Sequence, residues 1–216
     1  MKYVYEFIGT FFLMLTVGLT VLAPNNSPLL APLAIGSALG IFVYAGGHVS
    51  GGHYNPAVSF AVFLRGRLAL VDLLLYWIIQ LVSAVLAGYT VLFLKGIDPT
   101  TQAIAAISIR TLPVALAEFL FAFALCFVVL NVATARETEG NSYFGWAIGF
   151  TVVVGAFAVG SISGAAFNPA VALGAATLHL IHWNNLWVYF AANLLGAVVA
   201  ALIFKAAHPN ELDHRV

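Results

Sequence analysis

Two short stretches, SGGHYNPAV from Ser50 to Val58 and SGAAFNPAV from Ser163 to Val171, carry the same Asn-Pro-Ala tripeptide half a chain apart. Asparagine is a strong N-cap, and proline suits the first helical position, where its missing N–H would be unpaired anyway. Each stretch is therefore a helix start, at Asn55, Pro56 and Ala57 and again at Asn168, Pro169 and Ala170. The chemistry open to these residues is binding, not bond-making. A side-chain amide donates to an oxygen acceptor, and a helix N-terminus carries about half an elementary positive charge. Such a site holds a neutral oxygen-bearing molecule and repels a cation. One copy would mean only a helix start. Two copies, each preceded by Ser-Gly and by an aromatic residue two places before the proline, mean more.

Other chemistry-bearing residues read more plainly. Glu6 and Glu118 stand in apolar runs, where a carboxylate in contact with lipid would be costly, so both should face inward. His48 and His53 do not share one helical face and have no third ligand nearby, so no metal site is expected. Cys126 is the single cysteine, which excludes an intrachain disulfide and leaves it a packing role. No nucleophile stands with a base, so an intramembrane enzyme is not indicated and no cofactor is implied.

The elements that position these residues must lie in lipid. Of 216 residues, 62% are apolar and 7% charged, against roughly 45–50% and about 25% in soluble domains. No basic patch or charge run suggests a nucleic-acid partner. The first apolar run is longer than a signal-peptide core, and Glu6 stands where positive charge is expected, so it reads as a membrane helix.

A bilayer core about 30 Å thick needs roughly 20 apolar residues per helix. Six stretches qualify: Tyr3 to Ala23, Ala31 to Gly47, Leu70 to Lys95, Leu112 to Thr134, Tyr143 to Gly160 and Asn185 to Ala206. Turn chemistry separates them, as in PNNSP, KGIDPTT and RETEGNS. Two further pieces, Asn55 to Leu64 and Asn168 to Leu178, are too short to cross and begin at the two motifs. Six crossings put both termini on one side. With Lys2, Arg65, Arg67, Arg136, Lys205 and Arg215 on that side and only Lys95 and Arg110 opposite, the positive-inside rule predicts cytoplasmic termini in a multi-pass plasma-membrane protein.

The motif is part of a longer repeat. YEFIGTFF from Tyr5 matches AEFLFAFA from Ala117, setting Glu6 against Glu118, and YWIIQLVSAVLAG from Tyr76 matches YFAANLLGAVVAA from Tyr189, setting Gln80 against Asn193. The first copy covers about 1–96 and the second about 112–207 of one transmembrane domain, 1–216. Each copy holds an odd number of crossings, so the second enters from the opposite face and the repeat is inverted. Its two short helices then meet start to start near the midplane. Gly36 and Gly40, like Gly145 and Gly149, form small-xxx-small pairs suited to close helix packing. The predicted class is an all-α membrane protein with six transmembrane helices and two re-entrant half-helices.

The doubled NPA, the paired glutamates and the GHVSGGHYNPAV stretch from Gly47 resemble the aquaporin, or major intrinsic protein, family over nearly the whole chain. The resemblance implies a passive pore in each subunit of a homotetramer, with Asn55 and Asn168 as midplane donors. It implies that Glu6 and Glu118 support the loops ahead of the half-helices and that the His53 carbonyl helps line the cytoplasmic half of the pore. Most members follow the second NPA with an arginine; here Val171 stands instead, as in some bacterial members. Matching by distance from the motif asparagines gives a filter of Ile35, Ala156, Ala165 and Val171, which gates by size and carries no charge, ring or side-chain donor. A guanidinium about 5 Å from a cation would oppose it by roughly 3 kcal/mol at an effective dielectric near 20, and that barrier is absent. The partners implied are water and small uncharged solutes such as glycerol or urea, within a lipid bilayer. A neutral metalloid acid of the arsenious type, or ammonia, is the alternative solute. An ion-coupled secondary transporter, the remaining rival, would need free acidic ligands at the midplane.

Overall fold

The computed structural model describes residues 1–24, 26–98, 106 and 110–211. Asn25 of the first predicted turn, the end of the KGIDPTT turn and Arg215 lie outside the described residues. The chain forms α1 (Lys2–Val21), α2 (Ala31–Ser50), α3 (Pro56–Arg65), α4 (Leu70–Lys95), α5 (Thr111–Ala133), α6 (Phe144–Ser163), α7 (Pro169–Thr177) and α8 (Leu186–Ala207). All of these except α3 and α7 are long and apolar enough to cross a membrane. The architecture is therefore an all-α bundle of six membrane-spanning helices with two short helices inside it.

α2 and α6 each run three residues past the ends expected from sequence, to Ser50 and Ser163. The stop is set by the next residue. Gly51 (φ 89°) and Gly164 (φ 82°) adopt the left-handed conformation that ends a helix without a Cβ penalty. The added turn carries the two serines into the interior, where the site uses them.

The outward faces of the spanning helices are apolar. In α4, Tyr76, Gln80, Ser83, Ala84, Ala87 and Gly88 are buried with Leu73, Val91 and Leu92, while Leu74, Ile78, Val82, Leu86 and Phe93 are exposed. The small and polar residues of this helix pack inward, and its outer face is large and apolar. That surface is stable only in hydrocarbon.

The two halves interlock across an internal pseudo-twofold. α2 crosses α6, and the short helices trade partners: α3 packs on α8 and α7 on α4. A Cβ at Gly36 would come 2.5 Å from the Gly149 carbonyl oxygen, and one at Gly40 would come 3.0 Å from that of Gly145. Only glycine allows this approach. At its far end α3 places Arg65 on Thr134, just beyond α5. α7 ends beside Gly18, near the last turn of α1. The half-helices thus run from a shared centre toward opposite faces. Residue 1 and Glu211 share one face, here the terminal face.

Candidate functional site

The half-helices begin as the motifs require. Asn55 Oδ1 accepts from the Ala57 N–H at 2.8 Å, and Asn168 Oδ1 accepts from the Ala170 N–H at 2.9 Å. Both asparagines are extended, with φ of −157° and −158°. This is N-capping in its usual geometry.

The remaining amide groups tie the halves together. Asn55 Nδ2 donates to the Phe167 carbonyl at 2.9 Å, and Asn168 Nδ2 donates to the Tyr54 carbonyl at 2.9 Å. Each carbonyl belongs to the residue just before the other motif asparagine, so the two helix starts are juxtaposed by a reciprocal pair of bonds. An amide nitrogen has two hydrogens. One is committed across the axis, and the other is available where both asparagines line the same cavity. Cross-bonding of this kind is not visible in sequence. It commits half the donor capacity that the motifs offer.

Glu6 and Glu118 hold the loops ahead of the half-helices. Glu6 accepts from the His53 N–H at 2.9 Å, the Tyr54 N–H at 2.7 Å, the Ser50 hydroxyl at 2.8 Å and Gln80 Nε2 at 2.8 Å. Glu118 accepts from the Ala166 N–H at 3.0 Å, the Phe167 N–H at 2.8 Å and the Ser163 hydroxyl at 2.7 Å. Both carboxyls are fully buried. Tyr54 and Phe167, each with φ 48°, are held in the left-handed region by these bonds. That bend turns their carbonyls toward the opposite asparagine. Sequence reasoning passed over Tyr76 and Tyr189 as functional residues; their hydroxyls donate to the Ser50 and Ser163 carbonyls at 2.7 Å and close each loop from behind. Their matched places in the repeat were the available signal.

A cavity of about 430 Å³ extends from the face opposite the termini past both asparagines. Ile35, Ala156, Ala165 and Val171 all line it, so the four positions inferred from motif distance face the same cavity. Leu180 and Ile181 after α7 also line it, and no sequence pattern marked them. Among the described residues that line it there is no aspartate, glutamate, lysine or arginine. A second cavity opens toward the terminal face and includes His48 and Arg67. His48 rests edge-on to Tyr5, and His53 Nδ1 meets Ser59 Oγ at 3.1 Å, so the two imidazoles have separate partners.

This geometry permits passage and offers donors, with no reactive group aimed at the passing molecule. Residues 1–204 match the family model of the major intrinsic protein. The chain is 35% identical to aquaporin TIP1-2 of Musa acuminata over 85% of its length and 73% of the relative's. It is 34% identical to nodulin-26 of Glycine max over 94% of its length and 76% of the relative's. The fold is similar to the X-ray structure of the aquaglyceroporin from Plasmodium falciparum, with TM-score 0.79, 23% identity and 97% of each chain covered. The chain belongs to the major intrinsic protein family and is a membrane channel, not an enzyme.

Proposed function

We propose that the protein is a passive channel for water and small uncharged solutes of the glycerol or urea class. The observation that carries this reading is the cavity beside Asn55 and Asn168, which has an apolar mouth at Ile35, Ala156, Ala165 and Val171 and no fixed charge among the described residues of its wall. A neutral solute enters without losing an ion's hydration energy, and the free amide hydrogens at the midplane replace part of its water shell. A cation meets the positive ends of two helices there. The relatives named aquaporin and the aquaglyceroporin structure point the same way. The buried Glu6 and Glu118 carboxylates are engaged by loop amides and hydroxyls, which favours a channel over ion-coupled transport. We further propose a homotetramer in the plasma membrane with the terminal face in the cytoplasm. Lys2, Arg65, Arg67, Arg136 and Lys205 belong to that face, and Lys95 and Arg110 to the other.

Stopped-flow light scattering on proteoliposomes, with water, glycerol, urea and arsenious acid in turn, tests the reading. Val171→Arg places a guanidinium in the apolar mouth. The glycerol-to-water permeability ratio should fall about tenfold, equivalent to an added barrier of about 1.4 kcal/mol. An unchanged ratio would remove Val171 from the path of the solute.

A further inference from the structure

We infer that the discriminating neck of the conduit lies not at the outer quartet but on the terminal-face side of the asparagines, where Val129 and His53 separate the two cavities and His53 presents the polar contact. The inference rests on the channel reading above and assigns its selectivity step.

Three observations converge. First, the two cavities have only His53 and Val129 in common among their lining residues, so these side chains mark the boundary between them. Second, the repeat makes the two ends of the conduit comparable. The residues that match Ile35, Ala156, Ala165 and Val171 by distance from the motif asparagines are Ile148, Val43, Gly52 and Val58. Ile35, Ala156 and Ala165 are only partly buried, whereas all four inner counterparts are buried. Valine replaces alanine at one position of the inner ring, and beside it His53 stands where the outer side has Ala166. Ile148, Gly52 and Val58 line the first cavity and Val43 the second, so the inner ring straddles the boundary. The inner ring is the more fully buried of the two and carries the bulkier side chains.

Third, the hydrogen bonds around His53 fix its orientation. Ser59 Oγ lies 3.1 Å from the Asn55 carbonyl and accepts from Gln80 Nε2 at 3.0 Å. It also meets His53 Nδ1 at 3.1 Å, which occupies that nitrogen in either tautomer. Nε2 is left for the conduit. Tyr76 packs edge-on against the ring at a centroid distance of 5.3 Å. A Cβ built on Gly51, a residue of the second cavity, would sit 2.8 Å from Nε2, which shows that this nitrogen points to the terminal-face side. The conduit thus offers amide donors at its centre and a polar imidazole nitrogen at its neck. A narrow molecule able both to donate and to accept passes from one to the other. Glycerol, with its carbon chain, must squeeze past Val129.

Water, urea and glycerol permeabilities of reconstituted wild type, Val129→Ala, His53→Leu and His53→Gln test this. Val129→Ala should raise the glycerol-to-water ratio severalfold. His53→Leu should lower water permeability severalfold by drying the neck, and His53→Gln should restore most of it. If Val129→Ala leaves the ratio at the wild-type value, or if His53→Leu conducts water as wild type does, the neck is not where discrimination occurs. If wild type itself passes neither water nor solutes above protein-free vesicles, the channel reading fails first, and this inference with it.

Discussion

Gln80 and Asn193 occupy matching places in α4 and α8, but their side chains differ by one methylene. Gln80 Nε2 reaches both Glu6 and Ser59. Asn193 is fully buried and lies beside Glu118, but neither of its polar atoms makes a hydrogen bond of good geometry among the described residues, so its hold on that carboxyl is weaker than that of Gln80 on Glu6. The second repeat also has Ala172 where the first has Ser59, so the hydroxyl that would have helped is gone. Hydrogen bonds to charged groups contribute about 1.5–3 kcal/mol, and an unpaired buried amide costs about 1–3 kcal/mol. Gln80→Leu should therefore lower the thermal unfolding midpoint in detergent clearly, and Asn193→Leu should lower it much less. Equal losses from both variants would contradict this account. The sequence repeat made the pair visible. It could not show which amide holds its carboxyl more firmly, because that depends on side-chain reach of about a bond length.

At the scale of elements, the glycine crossing of α2 and α6 and the docking of the chain's end on α3 both bear weight. A methyl group at Gly149 would run into the Gly36 carbonyl, and backbone cannot yield as a side chain can. Gly160 on the same helix has open space. Gly149→Ala should reduce the yield of folded protein and its thermal midpoint strongly, while Gly160→Ala should have little effect. The small-xxx-small spacing made this crossing legible. The docking was not legible from local pattern. Arg65, nearly fully buried, bonds to Thr134, forms an ion pair with Glu211 and lies over the Phe204 ring. Glu211 also accepts from the Arg136 N–H at 2.9 Å. Sequence counted Arg65 only as a topology signal, since its partner lies at the other end of the chain.

The same contact has a pH dependence of definite sign. Burial alone would push the Glu211 carboxyl up, but the Arg136 N–H and the Arg65 charge outweigh it and hold the carboxyl below the ordinary glutamate range. A depressed folded value means that docking is stabilised above the ordinary glutamate value of about 4.3 and is lost as pH falls through the depressed one. Glu211→Gln removes that charge partner at every pH, and a buried pair broken on one side typically costs about 3–5 kcal/mol. Release of the segment after α8 should limit the loss. The measurable result is faster limited proteolysis beyond Ala207 in the variant at neutral pH. Cleavage at the wild-type rate would show that the pair does not hold the segment.

For the molecule as a whole, the six crossings, the two short helices and their head-to-head meeting follow from apolar length, an odd number of spans per repeat and two N-cap motifs. The difference in burial between the two rings did not follow, because rings matched in sequence differ in how far their neighbours close over them. The central claim is that opposed half-helices enclose a conduit open to neutral molecules without a coupled ion. The most direct measurement is the initial rate of glycerol entry into proteoliposomes over a wide concentration range, with proton and sodium gradients either imposed or collapsed. A channel predicts a rate linear in concentration and indifferent to both gradients. A rate that saturates and follows an ion gradient would contradict the account.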